Sequence, residues 1–395
     1  MESTVPLSPR VQRLQDTVER GENDALARFW EELVAQGTPL IEPGDEAGYS
    51  LVTFFFRAEE GVRNVAVLQD WGTDGIREHH MELLPGTDVW YKTRRLRSDT
   101  RTTYQLSPSA SEFREEMGAF RIDPLNPRTY PAYLDDEGGD DIIFSLLELP
   151  DAPAQPWQDV SVAAGEVQLH EPLGDGRRAW LYLPPGAGSG PYPFLLTFDG
   201  RLYKEIMNLP AILDHLIVAG RIPPIVALLL DNPRRRELVC NDEFATYVAE
   251  HLLPWVRASY PVTREAAHTV VTGSSFGGLG AAYLGLRYPE LVGNVLSQTG
   301  WFRWSPDEDP EFEWLARYVA EQPRQSVRFY LDVGLLENAR MADDGPTQLV
   351  ANRHMRTVLR ARGYSVDYVE HSGGHDYSSL EHPLAEALVL MFQAY

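Results

Sequence analysis

An α/β protein is what the sequence predicts: a mostly parallel sheet with helices on both faces, preceded by a smaller all-β domain and a helical lead-in. Three observations carry this. Apolar runs alternate with helical patterns from residue 179 onward, short β-branched and aromatic runs separated by turn residues fill 50–106, and apolar positions recur at helical spacing over 11–36. At 395 residues the chain exceeds what one core usually sustains, so two domains are expected.

The lead-in comes first. Leu14, Val18, Leu26, Phe29, Trp30, Leu33 and Val34 sit among charges at helical spacing between Val11 and Gln36, with a break near Gly21. Next, Ser50–Phe56, Asn64–Gln69, His79–Leu84, Val89–Thr93 and Thr103–Leu106 read as strands of a small sandwich of the immunoglobulin-like kind. Asp123–Asp151 is rich in Pro, Gly and acidic residues, and a further Pro-rich piece reaches Trp157. This stretch reads as the linker, which places the domains at 1–157 and 158–395. Beyond it, Ala179–Leu183, Phe194–Phe198, Ile225–Leu230, Thr269–Thr272, Asn294–Ser297, Val327–Asp332 and Val366–Val369 are near-continuous apolar strands. They alternate with helical patterns such as Phe244–Ala258 and Leu279–Arg287, the arrangement of a parallel sheet covered on both faces.

Composition excludes several function classes. The formal net charge of −23 gives a field that repels polyanions, so nucleic acid is not an expected partner. Cys240 is the single cysteine, which rules out an intramolecular disulfide and a cysteine-based metal site. Met1–Arg20 lacks the apolar core of a secretory signal and no eighteen apolar residues run together, so the expectation is a cytoplasmic protein without a membrane partner.

Gly273-Ser274-Ser275-Phe276-Gly277 fits G-x-S-x-G between a strand and a helix, the nucleophile turn of an α/β-hydrolase. Such a turn forces strained dihedrals on its middle residue and brings backbones close, so glycine is needed two positions either side. Ser275 is then the nucleophile, and the backbone N–H of Phe276, at the helix N-terminus, faces a developing oxyanion. A serine hydroxyl needs a base, expected late in the chain. His375 follows the last strand through Glu370-His371-Ser372-Gly373-Gly374, a turn suited to set an imidazole over the strand ends. The acid belongs after strand Val327–Asp332. Glu337, in the loop after Gly334-Leu335-Leu336, is preferred over Asp332, which lies inside the strand pattern.

These residues carry a resemblance. The second domain resembles the esterase D group of the α/β-hydrolase superfamily, and the whole chain is similar to the ferric enterochelin (enterobactin) esterases. The likeness includes Gly86-Thr87-Asp88-Val89-Trp90, Asp123-Pro124-Leu125-Asn126-Pro127, Asp199-Gly200, Cys240-Asn241, the nucleophile motif through Gly278, Gly334-Leu335-Leu336-Glu337 and Gly373-Gly374-His375-Asp376. It implies a sandwich that helps cover the active site and a hydrolase that opens the trilactone of a ferric tricatecholate siderophore, releasing iron inside the cell. The ester is a small molecule that brings its own iron, so no cofactor is expected. The resemblance also implies a second oxyanion N–H from Arg201 or Leu202.

Two further features admit two readings each. Arg234-Arg235-Arg236 is the densest basic run in an acidic chain; Arg234 and Arg236 bind an anionic ferric catecholate or simply balance Asp231 and Glu237. Trp301, with Phe302 and Trp304, stacks on aryl groups or fills the core. A general aryl or acyl carboxylesterase, and a non-catalytic siderophore-binding protein, are the alternative functions. Oligomeric state is not legible.

Overall fold

The computed structural model describes residues 8–22, 24–68, 79–112, 118–133, 140–158, 161–170, 176–231, 235–339 and 344–393. The chain forms two compact units. The first holds the described residues through Pro153 together with Ala339 and Ser372–Ser379; the second holds the others from Ala154 on.

The first unit begins with helices α1 (Pro9–Glu19) and α2 (Ala25–Gln36), separated at Gly21, whose φ is +75°. Ser8 caps α1 by accepting the N–H groups of Arg10 and Val11, and Pro9 occupies the first helical position, where no amide is needed. The apolar stripe Val11, Leu14, Phe29, Trp30 and Leu33 packs on Phe55 and Val89. Eight strands follow: β1 (Leu40–Pro43), β2 (Tyr49–Arg57), β3 (Asn64–Leu68), β4 (Glu82–Leu83), β5 (Val89–Arg97), β6 (Arg101–Ser109), β7 (Thr129–Tyr133) and β8 (Ile142–Glu148). They form two antiparallel sheets, β1-β2-β5-β4 and β3-β6-β8-β7, which meet where Phe54 and Tyr104 pack edge to face at 4.8 Å.

The expected linker at 123–151 is therefore corrected, because it contains β7 and β8 of the second of these sheets. Its first residue, Asp123, is spent on buried hydrogen bonds. Asp123 accepts from Thr38 Oγ1 (2.7 Å) and Tyr104 Oη (2.8 Å), while its own N–H donates to Ser145 Oγ (2.8 Å). The unit boundary also falls before Trp157, which lies buried in the second unit and donates its indole N–H to Glu381 at 2.8 Å.

The second unit carries β9 (Glu166–His170), β10 (Ala179–Leu183), β11 (Phe194–Thr197), β12 (Val226–Leu230), β13 (Thr269–Ser274), β14 (Asn294–Gln298), β15 (Arg328–Gly334) and β16 (Ser365–His371). Their order is β16-β15-β14-β13-β11-β12-β10-β9, parallel from β16 to β12, with β10 antiparallel to both β12 and β9. Between them run α3 (Gly200–Glu205), α4 (Leu209–Val218), α5 (Asp242–Tyr247), α6 (Leu253–Ser259), α7 (Phe276–Arg287), α8 (Trp314–Glu321) and α9 (Gln348–Ala361), and α10 (Tyr377–Phe392) ends the chain. A π-helical turn, Val248–Leu252, joins α5 to α6 just before Pro254. Every residue of β12 and β13 is buried, as the unbroken apolar runs require of central parallel strands. No helix among the described residues is long and apolar enough to cross a membrane.

Candidate active site

Five neighbouring parallel strands end at one edge of the second unit's sheet, and the residues of interest follow four of them: Asp199 after β11, Ser275 after β13, Thr299 after β14 and Glu337 after β15. β16 ends at the same edge with His371.

Ser275 has φ +54° and ψ −116°, outside both the right- and left-handed helical wells, so the turn stores strain at this one residue. The glycines around it are steric requirements. A Cβ on Gly273 would meet the Gly277 backbone at 2.5 Å, and one on Gly278 would meet Ser297 Oγ at 2.6 Å and Gly300 Cα at 3.0 Å. The strained backbone is pinned from both sides: Ser275 N–H donates to Gln298 O (3.0 Å), and Ser275 O accepts from Leu279 (3.1 Å) and Trp301 (2.8 Å). Among buried neighbours, Ser275 itself stays partly exposed at the positive end of α7.

Phe276 is the first residue of α7, and its ring lies 5.4 Å from that of Trp301. On the β11 side, Asp199 adopts a left-handed conformation (φ 52°) at the start of α3. The N–H of Leu202 donates to Asp199 O at 2.9 Å. That bond occupies the Leu202 N–H, one of the two expected oxyanion donors.

Glu337 is buried in the turn after β15. Its Oε1 accepts the Gly334 N–H (2.7 Å) and its Oε2 accepts the Thr299 hydroxyl. Thr299 was not visible to sequence reasoning. It is a β-branched residue at φ 42°, a strained position fixed by its N–H on Asp332 O (2.9 Å) and by Gln348 Nε2 on its carbonyl (2.6 Å). Two strained residues, Ser275 and Thr299, thus end adjacent strands. Asp332 is buried too, but inside β15, and burial first, then the charge of Glu337, hold its carboxyl well above the usual range. The nearest basic group is His371 Nδ1 at 4.0 Å, and burial pushes that imidazole down to about 4.

His375 lies in the Ser372–Ser379 segment, which groups with the first unit, and is half-buried there. Its neighbours are firmly fixed. Ser379 Oγ lies 2.8 Å from both Gly374 O and Asp376 O, and Asp376 Oδ2 accepts the Thr102 hydroxyl at 2.7 Å.

Of the basic run, Arg234 and the Arg235 side chain lie outside the described residues, and Arg236 is exposed. The carboxylates it was expected to balance are bound elsewhere, Asp231 by Arg178 (3.2 Å) and Glu237 by Arg177 (2.9 Å). Phe302 is a core residue, whereas Trp301 is only partly buried. No group of His, Cys, Asp or Glu among the described residues is arranged to hold a metal ion.

Residues 171–391 match the family model "Putative esterase", and residues 51–158 match "Enterochelin esterase, N-terminal". An iron(III) enterobactin esterase of Escherichia coli O6:H1 is 30% identical over 378 residues, covering 87% of this chain and 91% of that one. The chain belongs to the iron(III) enterobactin esterase family. Like other members it is a carboxylic ester hydrolase, with an α/β-hydrolase sheet preceded by an all-β domain. An iron(III) salmochelin esterase from the same organism is 28% identical, covering 96% of both chains. The crystal structure of the Shigella flexneri enterobactin esterase in the presence of enterobactin superposes with a TM-score of 0.72 at 26% identity, covering 91% of this esterase and 96% of that chain.

Proposed function

We propose that this esterase hydrolyses the backbone ester bonds of a ferric catecholate siderophore of the enterobactin type, through an acyl-enzyme on Ser275, and so frees iron inside the cell. The observation that carries the reading is the strained, partly exposed Ser275 at the N-terminus of α7, in a chain matched over most of its length by iron(III) enterobactin esterases. His375 takes the Ser275 Oγ proton as Oγ attacks the lactone carbonyl, and Glu337 orients the imidazole. The N–H groups of Phe276 and Arg201 receive the oxyanion. The imidazolium returns its proton to the leaving serine oxygen, and water, deprotonated by the same imidazole, releases the linear acid. Trp301 offers an aromatic face beside Phe276 to a catechol ring, and Arg234 and Arg236 offer guanidinium groups to its anionic oxygens. The reaction needs no resident cofactor, because iron enters as part of the substrate.

The test is to incubate the protein with ferric enterobactin, iron-free enterobactin and p-nitrophenyl butyrate, with Ser275→Ala as control, and to follow products by mass spectrometry. Serine-dependent opening of the trilactone is the expected result. Cleavage of the aryl ester alone would leave a general carboxylesterase, and binding of the siderophore without any turnover would leave a binding protein.

A further inference from the structure

We propose that Thr102, on β6 of the first unit, is a positioning residue for the general base, fixing His375 by way of Asp376; the inference rests on the assignment of His375 as that base. Two residues that flank His375 in sequence, Ser372 and Asp376, are gripped by the β5–β6 hairpin. On the near side, the Arg101 backbone N–H donates to Ser372 O (3.1 Å) and Arg97 Nε donates to Ser372 Oγ (2.8 Å). Both arginines are themselves anchored, Arg97 by two hydrogen bonds to Asp99 and Arg101 by two to Glu148. On the far side, Thr102 Oγ1 donates to Asp376 Oδ2 at 2.7 Å, from a side chain that is fully buried. His375 is joined directly to Asp376, and the carbonyls on either side of it, Gly374 O and Asp376 O, both lie within reach of Ser379 Oγ.

The two oxygens of Asp376 have separate tasks. Oδ1 accepts the Ser378 hydroxyl and the Ser379 N–H (3.2 Å), capping the first turn of α10. Oδ2 takes the Thr102 hydroxyl. Removing that hydroxyl therefore leaves the helix cap and the Thr103 backbone N–H in place and releases only the Thr102 tie to β6, so a purely structural role for Asp376 and a positioning role for Thr102 are experimentally separable. A base must hold its ring within a few tenths of an ångström of the attacking hydroxyl, and small misplacements cost rate rather than affinity.

The experiment compares wild type, Thr102→Val, Thr102→Ser and His375→Ala on p-nitrophenyl butyrate, with thermal unfolding and the rate of Ser275 labelling by a p-nitrophenyl phosphonate. Thr102→Val keeps shape and loses the donor, so kcat and the labelling rate fall together by roughly ten- to a hundredfold, with KM within about twofold. Thr102→Ser restores the donor and brings kcat back to within about threefold of wild type. The proposal is overturned if Thr102→Val turns over at the wild-type rate, if its loss appears in KM alone, or if Thr102→Ser is as slow as the valine variant. An inactive His375→Ala beside an unimpaired Thr102→Val rejects the tie alone, whereas an active His375→Ala rejects the base assignment and the tie with it.

Discussion

Ser275 and His375 are held by different physics. The turn at Ser275 is fixed by contact: backbone and side-chain atoms from α7, from β14 and the loop after it, and from Asp199 after β11 close around Gly273, Gly277 and Gly278 so tightly that a methyl group has no room. The histidine segment is fixed by direction: hydrogen bonds from Arg97, Arg101 and Thr102 hold Ser372 and Asp376. The first kind of site tolerates no added volume, and the second tolerates no lost donor. Damage to the first shows in stability, and damage to the second in turnover.

The largest effect is expected where neither kind of support is touched. Ser275→Ala removes only the nucleophilic oxygen, so kcat falls by on the order of 10⁴-fold or more while the melting temperature stays near wild type, read by ester hydrolysis and calorimetry. Glu337→Gln leaves the buried turn filled but withdraws the carboxylate proposed to orient His375, and kcat is expected to fall by about 10²- to 10⁴-fold. Asp332→Asn, at a carboxyl whose ionisation burial disfavours, leaves kcat within about threefold; a larger loss from Asp332 than from Glu337 would reverse their assignment.

Gly273→Ala sharpens the comparison from the side of stability. Its methyl group meets backbone at 2.5 Å, so the second unit loses about 3 kcal/mol or more in urea unfolding. A soluble, fully stable alanine variant would show that the turn is not held by contact.

The smallest effect concerns pH. The His371 imidazole is pushed from 6.5 down to about 4 by burial, against the attraction of Glu337 and with the repulsion of His382. The unfolded chain binds this proton below about pH 6.5 and the folded chain does not until about pH 4, so stability is lost as pH falls through that window. Asp332, whose carboxyl burial raises, contributes with the opposite sign. Comparing His371→Gln with wild type isolates the histidine: the variant's unfolding free energy changes less between pH 6.5 and 4, by up to about 3 kcal/mol. Parallel curves would mean that His371 takes up its proton in the fold.

Most strands of the second unit were legible in the sequence, because strands buried on both faces must be apolar throughout, and the run Val226–Leu230 or Thr269–Thr272 admits little else. The turn at Ser275 was legible for a related reason: a strained turn with close backbones needs its glycines at fixed positions. β7 and β8 were missed because their surroundings, acidic and rich in Pro and Gly, have the composition of a linker. Only the partners of Asp123, from Thr38 to Tyr104, make that composition a buried network. Thr299 was missed because no local pattern marks a β-branched residue for a left-handed conformation; Asp332, Gln348 and Glu337 impose it from separate strands, helices and turns.

The sequence by itself determined what depends on local geometry: a serine at a glycine-flanked strand-to-helix turn, a histidine after the last strand, and a mostly parallel sheet built from apolar runs alternating with helices. Tertiary structure alone decided which carboxylate finds donors and what grips the histidine segment. The reason is distance along the chain. Glu337 takes its donors from Gly334 and Thr299 while burial raises the Asp332 carboxyl, and the Thr102 hydroxyl and Asp376 are separated by 274 positions in sequence. Periodicity and motif spacing report only on neighbours, and a hydrogen bond of that span leaves no trace in either.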